Sequence, residues 1–110
     1  MSREVRLRPE AAKELLSAVE WLAESAPDSD AAQRFHDVWA AALRSLAESA
    51  DAHPVAMEAD EGEFTLRNAF VGLGRRKTHR IVYRVFDDIV VVLRLRSMRQ
   101  RPLNRDEING

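Results

Sequence analysis

Apolar and polar positions change period along this chain, and the changes mark its elements. From His79 to Arg96 the order His-Arg-Ile-Val-Tyr-Arg-Val-Phe-Asp-Asp-Ile-Val-Val-Val-Leu-Arg-Leu-Arg holds two runs rich in β-branched and aromatic residues, parted by Asp87-Asp88. Such residues favour a pleated surface, and a short polar break between them predicts a hairpin. With only Asp87 and Asp88 in the turn, Phe86 faces Ile89, Arg84 faces Val91, Tyr83 faces Val92 and Ile81 faces Arg94. Alternation at period two puts Arg80, Val82, Arg84, Phe86, Ile89, Val91, Leu93 and Leu95 on one face. His79, Ile81, Tyr83, Val85, Val90, Val92, Arg94 and Arg96 take the other. Both faces are apolar near the turn and basic toward the open end. A sheet covered on one side alternates more cleanly, so both faces are expected to be partly covered.

Earlier in the chain the period switches. Glu4-Val5-Arg6-Leu7-Arg8 alternates and predicts a short first strand with Val5 and Leu7 inward. Pro9 opens a helix, where its missing N–H costs nothing, and Glu10 suits the positive end of the helix dipole. Ala12, Leu15, Leu16, Val19, Leu22 and Ala26 recur at helical spacing, with Trp21 off that line and expected to make a flank contact. A break and N-cap cluster at 26–30 precedes a second helix with Ala32, Phe35, Trp39, Ala42, Leu43, Leu46 and Ala50 on its stripe. A short link between two amphipathic helices predicts an antiparallel helical hairpin. Residues 51–63 read as an acidic loop, Phe64–Val71 as a strand, and 72–78 as a flexible basic turn into the hairpin. The segment 104–110 reads as a frayed polar tail. The resulting order, β-α-α-β-β-β, predicts an α+β fold: a helical hairpin packed on a small, mainly antiparallel sheet.

Composition narrows the classes. The sequence has 110 residues, which suits a single domain over 1–110 with one modest core. There is no cysteine, hence neither a disulfide nor a thiolate metal site. The start has no apolar run of a signal peptide, and no stretch nears the roughly 20 apolar residues of a membrane span. A cytoplasmic location and no membrane partner are therefore expected. Net charge is −1 but uneven: residues 1–63 hold 6 basic and 14 acidic side chains (6 − 14 = −8), and residues 64–110 hold 11 and 4 (11 − 4 = +7). Either the acidic helices neutralise the basic sheet within the fold, or the basic half meets an acidic ligand. A dedicated nucleic-acid binder is usually basic overall, and this chain is not. His36 has no second ligand at metal spacing and reads as a solvated or capping residue. Gly72 and Gly74 are too few, and too far from a helix start, for a phosphate-cradling loop. No cofactor and no metal are expected.

Leu66-Arg67-Asn68, then Thr78-His79-Arg80-Ile81-Val82-Tyr83-Arg84-Val85, then Val90-Val91-Val92-Leu93-Arg94-Leu95-Arg96 with a trailing Arg99-Gln100, set in this element order, resemble the RelE/ParE toxin superfamily of type II toxin–antitoxin modules. The resemblance runs from Val5 to about Leu103. It implies a partner, a cognate antitoxin, and either one of two activities or, in an inactive relative, antitoxin binding alone. RelE-like members are ribosome-dependent ribonucleases acting on mRNA; ParE-like members poison DNA gyrase without a known hydrolytic centre. Cleavage by 2′-OH attack needs a base, an acid and fixed positive charge on the phosphate. Against the RelE pattern, Arg80 matches the strand arginine and Arg99 the later one, while the lysine positions fall near Val71 and Leu73. Neither tyrosine nor histidine follows Arg96, and Ser97 stands where relatives often carry histidine. Tyr83 and His79 are the substitutes available if the chain is a ribonuclease. The run Leu66–Gly72 followed by an Ile-Val-Tyr-Arg strand resembles the ParE-like members more closely. The expected binding surface comprises Arg67, Arg75, Arg76, Lys77, Arg80, Arg84, Arg94, Arg96 and Arg99, with the strand arginines converging on one accessible patch. An arginine paired instead with helix acids such as Glu14, Glu20 or Glu24 is the competing expectation.

Overall fold

The computed structural model describes residues 2–25, 30–58 and 65–109. The break at 26–29, the acidic stretch 59–63, Phe64 and Gly110 lie outside the described residues. The elements are β1 (Glu4–Leu7), α1 (Pro9–Ser25), α2 (Ala31–Ser49), a 3-10 turn (Ala50–Ala52), β2 (Leu66–Val71), β3 (His79–Val85), β4 (Ile89–Ser97) and α3 (Arg105–Asn109). They form the α+β architecture the pattern predicts.

The sheet has four strands in the order β1-β4-β3-β2. β2, β3 and β4 are antiparallel neighbours, and β1 lies parallel to β4 with Val5 opposite Val90. A parallel neighbour needs a long crossover, and the helical pair supplies it. α1 and α2 cover one face of the sheet. Phe35, Trp39 and Leu46 of α2 and Ala11 of α1 pack there on Ala69, Val71, Ile81, Tyr83, Val90, Val92 and Leu95. On α1 the buried line is Ala11, Leu15, Ala18 and Leu22 rather than one through Ala12 and Leu16; Leu16 is 59% exposed. Both lines have helical spacing.

The hairpin keeps the expected register only near its turn. Arg84 faces Val91 and Tyr83 faces Val92, and the Phe86 N–H bonds the Ile89 carbonyl at 2.8 Å. From Val82 onward the pairing slips by one residue, so that Val82 faces Arg94, Ile81 faces Leu95 rather than Arg94, and Arg80 faces Arg96. The extra residue in β4 is a bulge. Leu95 thereby joins the helix-side core, while Leu93 joins the opposite one. A bulge re-aims every side chain after it, and the strict alternation expected for β4 ends there.

The sheet's second face carries its own small core of Ala56, Leu66, Val82, Leu93, Leu103 and Ile108. The segment expected as a frayed tail supplies part of it. Arg105–Asn109 forms α3, capped where the Glu107 N–H meets the Asn104 side-chain oxygen at 2.9 Å, and Ile108 is buried. The apolar pair Leu103 and Ile108, five residues apart in a polar stretch, is what holds it down. Between β2 and β3, a side chain at Gly72 would run into the Arg76 carbonyl, so this tight return needs glycine.

Candidate functional site

The strand arginines do not converge on one accessible patch. Arg80 and Arg96 lie across from each other on β3 and β4, and both are buried. Arg80 forms a two-pronged ion pair with Glu58: Nη1 donates to Oε1 at 2.7 Å, and Nη2 donates to Oε2. Nη1 also reaches Asn68 Oδ1 at 3.3 Å, and the Leu103 N–H donates to Glu58 Oε2 at 2.9 Å. Burial alone pushes the Glu58 carboxyl up; the hydrogen bonds from Arg80 and Leu103 outweigh it and hold the group below the usual carboxylate range. Arg96 donates to the Arg101 carbonyl at 2.7 Å. Arg94 grips Glu14 of α1 through two bonds of 2.9 and 3.0 Å and approaches Glu107 at 3.6 Å. Its guanidinium is held above its ordinary value, chiefly by that bond to Glu14. Arg67 is half-buried and donates to the His53 carbonyl at 2.6 Å, and Arg84 stacks on the Phe86 ring at 4.3 Å. An arginine points where the nearest compensating oxygen lies. For Arg67, Arg80, Arg94 and Arg96 those oxygens belong to the protein itself, so the expected convergence of strand arginines on one open patch is corrected to a set of internal ties.

The residues nominated for 2′-OH chemistry are placed as follows. The Tyr83 hydroxyl is buried and donates to the Ala50 carbonyl at 2.6 Å; burial pushes its pKa up to about 12. A phenol held this way neither gives nor takes a proton near neutrality. His79 packs edge-on against Phe35 and Trp39, at 5.2 and 5.7 Å between ring centres, and burial lowers its pKa. Its Nδ1 shares a 2.8 Å hydrogen bond with Thr78 Oγ1. Arg80 is sealed beneath Glu58. Arg99 is exposed, past the end of β4. Four groups intended to act together thus sit in a core, an aromatic cluster, a buried ion pair and a surface turn. Among the described residues no cluster of His, Asp or Glu is placed to hold a metal ion, and no helix is long and apolar enough to cross a membrane.

What the structure does assemble is a cleft at the open end of the hairpin. It encloses about 810 Å³ between α1, the turn from β2 to β3, and the residues after β4. Trp21, Leu22, Phe35, Leu73 and Met98 give it an apolar floor, and Arg75, Arg76, Lys77 and Arg99 stand at its edge. Trp21 is 66% exposed, Met98 45% and Leu73 42%. These four expected binding cations therefore do come together, joined by Trp21, for which only a flank contact was expected, and by Leu73 and Met98, to which the pattern assigns no role. Trp21 lies off its helix's buried line and makes a wall of the cleft rather than a covered flank contact. The available signals were an aromatic left over from an amphipathic stripe and a leucine between two glycines. A recess of about 260 Å³ adjoins the cleft, sharing Ala18, His79 and Ser97 with it, and reaches the Trp39 indole.

Comparison with known proteins gives one consistent answer. The family model described as the ParE toxin of the type II toxin-antitoxin system, parDE, matches residues 5–102. Among solved structures, the chain is similar to one described as the chromosomal ParDE TA system from P. aeruginosa, with a TM-score of 0.68 and 14% identity. That match covers 87% of this chain and 96% of the other, a likeness of fold. No curated protein sequence matches the chain.

Proposed function

The chain belongs to the ParE toxin family of type II toxin–antitoxin systems, and on that basis we propose that it arrests growth by binding an essential target such as DNA gyrase and is neutralised by a cognate antitoxin. The family match across residues 5–102 carries this reading. A second observation supports the non-hydrolytic branch over RNA cleavage. Arg80 and Tyr83 are buried in bonds that hold the fold together, and His79 is wedged between aromatic rings. Surface binding needs none of them, whereas acid–base cleavage needs groups that reach the substrate.

Repressible expression without the antitoxin tests the toxin reading, and growth is expected to stop. Purified protein is then expected to inhibit DNA gyrase in a supercoiling assay or to trap its cleaved complex. Unaffected supercoiling, together with new 5′ ends on translated mRNA by primer extension, refutes the gyrase branch and turns the assignment to a ribonuclease. Unimpaired growth refutes the toxin reading as a whole.

A further inference from the structure

The turn from β2 to β3 ends in Arg75-Arg76-Lys77-Thr78, a hydroxyl with three cations directly ahead of it. Of the chain's serines and threonines, Thr78 and Ser97 alone follow two arginines within three positions. The fold separates these two. The arginines ahead of Ser97 are Arg94, bound to Glu14, and Arg96, which is buried and donates to the Arg101 carbonyl. Ser97 closes β4, and its Oγ accepts the Arg99 N–H at 3.2 Å. Thr78 lies between strands and is exposed, as are Arg75, Arg76 and Lys77. Neither these three cations nor Arg99, which lines the same cleft, pair with a carboxylate among the described residues. The Thr78 hydroxyl meets the neighbouring His79 Nδ1 at 2.8 Å.

We propose that Thr78 is a phosphorylation site: a protein kinase with an acidic substrate groove reads Arg75 and Arg76 and transfers a phosphoryl group from ATP to Thr78 Oγ1, and the four cations at the cleft's edge then hold the phosphate. Oγ1 bonds to the γ-phosphorus and the bond from that phosphorus to the bridging oxygen breaks. ADP leaves with the electron pair, and the hydroxyl proton passes to the kinase's catalytic carboxylate. Guanidiniums that no carboxylate of the chain engages are open to charge-assisted bonds from acids on the enzyme. Little backbone has to move. Two bonds hold Thr78 at the end of the ladder: its N–H to the Val71 carbonyl at 3.0 Å, and the Met98 N–H to its own carbonyl at 2.8 Å. Ladder ends open more readily than their middles. A phosphothreonine carries about −1.5 to −2 charges and three acceptor oxygens, so it roughly halves the positive charge of this edge and weakens its pull on acidic ligands. Burial now holds His79 below its ordinary pKa. A phosphate one residue away favours the protonated ring and raises it.

The whole chain is incubated with Mg-ATP and the catalytic domain of a kinase that selects arginines two and three residues ahead of its acceptor. One phosphoryl group is expected, mapped to Thr78 by fragment mass spectrometry, lost in Thr78→Ala and kept in Thr78→Ser. The variant R75A/R76A is expected to melt like the parent, because both side chains are exposed, and to be phosphorylated with at least about tenfold lower kcat/KM. Nuclear magnetic resonance of the phosphoprotein is expected to place the His79 titration midpoint above that of the parent. Protein recovered from cells that carry the gene is expected to yield the Thr78 phosphopeptide. Incorporation at Ser97 instead, or undiminished kcat/KM in R75A/R76A, refutes recognition through the turn. Labelling confined to heat-unfolded protein refutes an accessible acceptor, and an unchanged His79 midpoint refutes the clamp. Thr78 unmodified in both growing and arrested cells overturns the assignment. Each of these results leaves the toxin reading standing.

Discussion

Replacing Arg80 with alanine tests whether the pair beneath the sheet is structural. The substitution leaves the Glu58 carboxylate, which is 0% exposed, with the Leu103 N–H as its remaining hydrogen-bond donor from another residue. Breaking a buried, hydrogen-bonded ion pair from one side costs about 3–5 kcal/mol, because an uncompensated charge stays in the interior. A domain of this size has roughly 5–15 kcal/mol in all. At about 4–5 °C per kcal/mol for this length, the melting temperature falls by roughly 12–25 °C. The control is Arg6→Ala, whose exposed partner Glu4 lies at 3.0 Å and whose loss is expected to leave the midpoint essentially unchanged, because the pair is screened by water. Urea denaturation at neutral pH measures both. The pH dependence carries the sharper signature. In the parent the Glu58 carboxyl sits below its ordinary value of 4.5, so its contribution is present above that pH and is lost as pH falls through the folded value. In the variant the pull of Arg80 is gone and burial is opposed by the Leu103 N–H without it, so the carboxyl moves up relative to the parent; the defect is largest at neutral pH and shrinks on acidification, once the carboxyl is protonated. The double change Arg80→Met with Glu58→Leu is expected to recover most of the loss, since neither charge remains. An Arg80→Ala protein within about 1 kcal/mol of the parent, with an unchanged acid limb, would refute the reasoning.

Three further outcomes follow from the same geometry. Tyr83 is the sole tyrosine, so ultraviolet titration follows it without interference, and its ionisation is expected near 12 rather than 10. Its folded value is raised, so the stability it contributes is complete below about 10 and disappears as pH climbs toward 12; a midpoint at 10 in the folded protein contradicts the buried bond to Ala50. Ile108→Ala is expected to cost about 2–4 kcal/mol by urea denaturation, since it empties part of the core on the sheet's second face; a neutral effect means the C-terminal helix is not docked. Gly72→Ala forces the backbone at Arg76 to move and is expected to lower the melting temperature measurably, whereas Gly74→Ala, with open space around it, is not.

Much of this protein is readable from local pattern. Periodicity in a segment depends on that segment alone, so the two long helices, the hairpin turn at Asp87-Asp88, the element order as far as β4 and the coverage of both sheet faces all follow from the residues in line. The resemblance led to the same family that the match over residues 5–102 identifies. The fates of the arginines were not readable in this way. Two of them are settled by a carboxylate distant in sequence: Glu58 lies 22 positions from Arg80, and Glu14 lies 80 from Arg94. A basic residue on a strand has the same appearance in sequence whether it meets water, a partner or a carboxylate of its own chain. The bulge is equally hidden, because one extra residue in β4 is decided by how the strand ends pack and not by its composition. The cleft is the most tertiary feature of all. It gathers a helix residue, Trp21, a turn residue, Leu73, and a residue past the last strand, Met98, and nothing short of the folded sheet brings those three together.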